Sequence, residues 1–229
     1  MPADERRLTT QGQERKEQLL EQAARLFAEH GYDDTRIIDI CKAAGVAKGL
    51  FYWYFENKEQ LFAELAHDIR LRLRRCQSDA MDPAADPLTR IRQGSEASVR
   101  FMADNARFFS LLEVENLLSR GADAPDPGRK RLAAVLREGT DVHVADVRAL
   151  IEAGVAQGQI RDDDPVLLAR GVVGTVGIYG HFHRTGRSHV PVDELAAFVG
   201  RMVVSSLAAD DQIGAAALPT ISATGVARY

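Results

Sequence analysis

Apolar positions recur with helical spacing along most of the chain. Leu19, Leu20, Ala23, Ala24, Leu26 and Phe27 share one face of a predicted first helix. Thr10-x-x-Gln13 offers a capping box at its start, and Gly31 after His30 stops it. A short helix with Ile37, Ile38, Ile40 and Cys41 follows, with Asp34 or Thr35 as its cap. Ala43-Ala44-Gly45-Val46 is a tight turn, and the next short segment carries Lys48, Tyr52, Trp53 and Tyr54. Asn57-x-x-Gln60 then opens a long segment through Leu61, Phe62, Leu65, Ile69 and Leu73. Its basic end, Arg70 to Arg75, is read as a solvated or partner-facing face.

Asp82 to Pro87 is the first clear break. Helical patterns resume over 88–102, 105–118 and 129–158, with a loop over 121–128. Asp164-Pro165 and Pro191 open two more. Gly171, Gly174, Gly177 and Gly180 recur at every third position. Taken alone, these glycines and their β-branched neighbours argue for a strand. The helical surroundings and the Asp-Pro start favour a helix, packed on a neighbour through a nearly side-chain-free face. The expected fold class is all-α. A helical head over 1–57, opened by an arm at 1–9, precedes a larger helical domain over 58–209. Residues 210–229, small and polar, are expected to be disordered.

The stretch from Thr35 to Phe55 carries the candidate chemistry. Two short helices joined by a glycine turn form a helix-turn-helix unit, whose second helix can enter the major groove of DNA. Binding there requires neutralised phosphates, hydrogen-bond donors and a few side chains at base edges. Thr35 and Arg36 can donate to a phosphate, and Lys48 brings charge to the groove. Gly49 permits close backbone approach. Tyr52 supplies a hydroxyl, Trp53 an indole N–H and a flat surface, and Lys58 a charge at the next helix start. Phe51, Tyr54 and Phe55 are expected in the core.

Over about residues 15–62 this pattern resembles the DNA-binding signature of TetR-type bacterial transcriptional regulators. The Ala44-Gly45-Val46 turn, the Lys48-Gly49 pair, Tyr52-x-Tyr54-Phe55 and Asn57-Lys58-Glu59 all match. The resemblance implies DNA contacts from Thr35, Arg36, Lys48, Gly49, Leu50, Tyr52, Trp53 and Lys58. It departs at Ala47 for a usual Ser, Leu50 for a frequent Thr, and Trp53 where His is common. It further implies a homodimer on a palindromic double-stranded DNA operator, released by a small, apolar effector. Its last two long helices would form the dimer interface, through Val199, Met202, Val203 and Leu207; an intramolecular core helix is the alternative.

Composition adds limits. Of 229 residues, 45% are hydrophobic and 27% charged, as in ordinary globular proteins. The net charge is −4, and residues 1–75 carry 13 basic and 13 acidic side chains. A DNA-binding surface must therefore come from where cations point. The two cysteines, Cys41 and Cys76, suit a reduced cytoplasmic setting rather than a disulfide scaffold. No run is long enough to suggest a membrane span.

Candidate effector-pocket residues are Phe101, Phe108, Phe109, Leu112, Leu136 and Tyr179, with Asn116, His143 and His181 as polar groups; ordinary core packing is the rival reading for each. His181 and His183, two apart on a helix, point to different sides, so no metal site is expected. No cofactor motif and no convergent catalytic groups are visible, so an enzyme is not expected. An architectural DNA-binding protein without an effector is the alternative function.

Overall fold

A computed structural model describes residues 9–110 and 127–209. The helices are α1 (Thr10–His30), α2 (Ile37–Ala43), α3 (Lys48–Tyr54), α4 (Lys58–Ala80), α5 (Pro87–Asp104), α6 (Pro127–Ala156), α7 (Pro165–Arg184) and α8 (Val192–Leu207). Residues 106–110 are also helical. Among the described residues there is no strand, only an isolated antiparallel bridge between Ile160 and Ala208. The fold is all-α.

Local chemistry sets most helix starts. Asn57 accepts from the Gln60 N–H at 2.8 Å, while the Gln60 side chain accepts from the Glu56 N–H at 2.6 Å. Asp164 caps α7 ahead of Pro165, and Asp86 caps α5 ahead of Pro87. Two caps differ from expectation. Thr9, not Thr10, caps α1, accepting from the Gly12 N–H at 3.2 Å. Neither Asp34 nor Thr35 caps α2; Arg36 occupies that position without a side-chain hydrogen bond.

Two hydrophobic clusters organise the chain. The first joins α1, α2 and α3 to the first half of α4 through Leu19, Phe27, Ile40, Phe51, Phe62 and Ile69. The second joins α5 to α8 through residues such as Ile91, Val144, Ile151, Val176 and Val199. We call these the head and the body. Leu61 to Ile69 belong to the head cluster, so a boundary at residue 57 falls before much of the head's own packing. α4 runs on to meet α5 and α6.

The glycine-rich segment is a helix, yet among the described residues nothing packs on its face at Gly171, Gly174 and Gly177. A Cβ added at Gly171, Gly174 or Gly177 would meet nothing within 4 Å. Only Gly180 lies close to a neighbour, 2.8 Å from the Met102 sulfur to the ideal Cβ position. The helical repeat explains this: each three-residue step falls about 60° short of a turn, so nine residues walk half-way round. The expected dimer face on α8 is also corrected. Val199, Val203 and Leu207 are buried in the body core, and α8 packs chiefly on α5. Met202 is half-buried and accepts the Tyr179 hydroxyl at 3.8 Å.

Candidate nucleic-acid interface

α2 and α3 have seven residues each, too short to persist alone. Tertiary packing holds them. Phe51 and Phe55 are fully buried, their ring centroids 5.5 Å apart, and pin α3 to the head. Tyr54 donates its hydroxyl to the Gly12 carbonyl at 2.7 Å, tying α3 to α1. The α2–α3 turn is a Schellman motif. Val46 N–H donates to the Cys41 carbonyl at 2.9 Å and Gly45 N–H to Lys42 at 3.2 Å, with Gly45 at φ 64°. That left-handed conformation suits glycine.

With those residues buried, α3 turns its other side outward. Tyr52 and Trp53 are about half exposed, 50% and 51%, and Lys48 and Gly49 lie beside them at the surface. The Lys48 ammonium sits 5.7 Å from the Tyr52 ring centroid. Among the described residues no atom would obstruct a Cβ on Gly49, so their packing does not require glycine there. Leu50 is half-buried, and Ala47 gives α3 no side-chain cap. Arg36 is exposed and held by Asp39 at 2.7 Å; that pairing raises the arginine pKa and lowers the aspartate's. Exposed Lys42, absent from the sequence expectation, adds a cation close enough to the turn to have been read from its position.

Two expected DNA donors serve the head itself. Thr35 is buried, and its hydroxyl lies 2.7 Å from the Gly31 carbonyl and 3.2 Å from that of Leu26. Lys58 turns its ammonium inward to the carbonyls of Tyr32 and Thr35, at 2.6 and 2.9 Å, and over the Tyr32 ring. Both fasten the loop between α1 and α2, whose carbonyls face inward at a distance in sequence that no local pattern reveals.

The described candidate pocket residues are spread over both clusters, with Phe101 and Phe109 in edge-to-face contact at 6.2 Å and the Arg184 guanidinium over the Phe109 ring. Phe101, Phe108 and Phe109 pack against the head cluster. Tyr179 lies instead in the body, between Phe182 and Phe198. His143 is on α6 facing α4, and half-buried His181 lies 6.1 Å from Phe182. Leu112 and Asn116 lie outside the described residues, as do residues 210–229; the side chain of Leu136 does too. The basic run of α4 is also divided: Arg72 and Arg75 are exposed, while Arg74 pairs with Asp146 at 2.9 Å and Arg70 lies against Gly139. Among the described residues, no three His, Cys, Asp or Glu side chains are grouped as a metal site, and no helix is long and apolar enough to cross a membrane.

Two short helices on a tight turn, an outward aromatic and cationic face, and a separate helical body define a helix-turn-helix DNA-binding protein. Residues 19–65 match the family described as bacterial regulatory proteins, tetR family. The chain is 26% identical over 156 residues to an uncharacterized HTH-type transcriptional regulator, YhgD, of Bacillus subtilis (strain 168), covering 68% of this chain and 77% of that protein. A probable acrEF/envCD operon repressor of Escherichia coli (strain K12) is 48% identical over 50 residues, spanning 22% of this chain and 23% of that one. A TetR-family transcriptional regulator structure from Rhodococcus sp. shares the fold with a TM-score of 0.70 at 18% identity, covering 86% of this chain and 100% of that one. Residues 19–65 thus carry the tetR-family match, and the chain as a whole is similar to HTH-type, TetR-family transcriptional regulators in sequence and fold.

Proposed function

We propose that the protein is a repressor that binds a palindromic operator as a homodimer and is released by a small effector held in the body. The observation that carries the DNA contact is the exposure of Tyr52 and Trp53 on a helix whose other rings are turned inward. Lys48, Gly49 and the edge of Leu50 share that region, and Arg36 supplies a phosphate contact after leaving Asp39. Thr35 and Lys58 support this surface from behind. Leu50 and Trp53 give the reading helix an apolar character suited to a thymine methyl.

A second copy of the chain is the proposed cover for the bare face of α7. Leu167, Gly171, Gly174 and Ile178 fall on one helical face by their spacing. Leu167 is 68% exposed and Ile178 46%, with Phe198 of α8 also exposed. A two-fold pair places two reading heads on a palindrome, which a single small module contacts too sparsely. The effector must bind the non-binding state more tightly, because equal affinity shifts nothing.

A mobility-shift titration against the DNA upstream of the protein's own gene tests this reading. Sequence-specific binding that weakens steeply with salt is expected. Binding of random DNA with equal affinity would favour the architectural alternative, and salt-insensitive or absent binding would defeat both.

A further inference from the structure

The helix shared by head and body meets α6 across a cleft of about 320 Å³. α4 contributes His67, Arg70 and Arg74, and α6 contributes Glu138 and His143, while Leu71 and Val142 supply apolar wall. Gly139 admits Arg70 into this joint: a Cβ there would overlap the guanidinium group. Burial lowers the Arg70 pKa, and the charge of Glu138 opposes that shift. Arg74 is paired with Asp146. His143 Nδ1 is buried and has no hydrogen-bond partner among the described residues. A buried polar atom left unmatched costs about 1–3 kcal/mol. Such an atom calls for a bound partner or water.

We propose that this cleft receives the acid group of an amphipathic monocarboxylate effector. The proposal rests on the reading of the chain as an effector-released regulator. A guanidinium fork matches a carboxylate with two parallel hydrogen bonds. His143 adds a hydrogen bond, and Leu71 and Val142 take the first part of an apolar body. With Glu138 and Asp146 nearby, phosphate would set two negative charges beside two carboxylates where a monocarboxylate sets one, and it has nothing for the apolar wall. A bound carboxylate competes with α6's own acids for the arginines of α4. It thereby favours a state in which the two helices are less tightly joined, and affinity for DNA falls by the same coupling.

Calorimetric titration of the full chain with decanoate, decanol and inorganic phosphate at neutral pH tests the assignment. Decanoate is expected to bind about tenfold or more tightly than decanol, the equivalent of one charge-assisted hydrogen bond. Phosphate is expected not to displace it. Arg70→Gln and, at the exposed end, Arg74→Gln should each erase most of the preference for acid over alcohol, in variants shown by circular dichroism to be folded. Equal affinity for acid and alcohol, or a preference that survives both substitutions, overturns the proposal. So does displacement by phosphate. In mobility shifts, decanoate should release DNA from the parent chain. DNA binding that decanoate leaves unchanged refutes the cleft while sparing the regulator reading, whereas a ligand-free chain that binds no DNA removes that reading itself.

Discussion

The two cores of this molecule are built from different materials. The head buries Phe27, Tyr32, Phe51, Phe55 and Phe62, with edge-to-face contacts such as Phe27–Phe62 at 5.7 Å. The buried hydrophobic residues of the body are aliphatic, and its described aromatic side chains are half-buried or exposed. A small unit needs much apolar area from few residues, and aromatic rings supply it with fixed relative orientations. The body, with longer helices, reaches a core through many small contacts. The contrast suits the proposed division of labour. A reading surface gains from rigidity, while half-buried rings leave a surface able to meet a ligand or a partner.

The sharpest way to break this contrast is to hollow each core in turn. Phe51→Ala should cost about 3–5 kcal/mol, against about 0.5–1.5 for a single-methylene deletion such as Ile151→Val in the body. Two-probe thermal melts should show the Phe51 variant losing DNA binding while the body's helical signal persists; a single coincident transition would show one cooperative unit. Next, Lys58→Ala should cost about 1.5–3 kcal/mol by leaving the carbonyls of the Tyr32–Thr35 loop unmatched. A variant that melts like the parent would return Lys58 to the DNA-contact role expected of it. Gly45→Ala forces a left-handed backbone on alanine at about 1–2 kcal/mol, read as a lower melting temperature of the head alone.

Surface changes should separate affinity from stability. Lys48→Ala is expected to lower the salt slope of DNA binding by about one and leave the melting temperature unchanged. Unaltered affinity in both Lys48→Ala and Tyr52→Phe would remove the contact assignment. The smallest effect belongs to His143. Burial lowers its pKa, so the unfolded chain takes up the proton first as pH falls. Its contribution is present above the ordinary histidine pKa and is lost as pH falls below about 6.5. His143→Gln should flatten that limb of the melting-temperature profile in acid.

What the sequence made legible follows from distance along the chain. Asn57-x-x-Gln60 and Asp164-Pro165 act within one turn, and both caps stand where their residue types place them. Thr9 and Thr10 offer the same side chain, and only backbone geometry selects between them. The buried state of Thr35 depends on carbonyls of α1 and the following loop that its own neighbours do not announce. Lys58 reaches back to residues 32–35 for the same reason. The apolar face of Val199, Val203 and Leu207 was visible as a face, but not that α5 would cover it. Helical spacing describes one helix at a time, whereas a cavity depends on how several helices meet, so the sequence could name candidate pocket residues but not how they are arranged. In α7 the four glycines at every third position suggested a single stripe, yet a three-residue step cannot stay on one side of a helix.

α4 has 23 residues, anchored in the head at one end and against α5 and α6 at the other. At 1.5 Å per residue it is a rod of about 35 Å. Tilting such a lever by about 6° carries its far end through about 3.5 Å, close to the rise of a single base pair. In the proposed dimer, a shift too small to disturb the packing of the body would be enough to put a reading helix out of step with its half-site. Under the proposed regulation, the length of one helix would convert side-chain rearrangement at the α4–α6 joint into a change measured in base pairs.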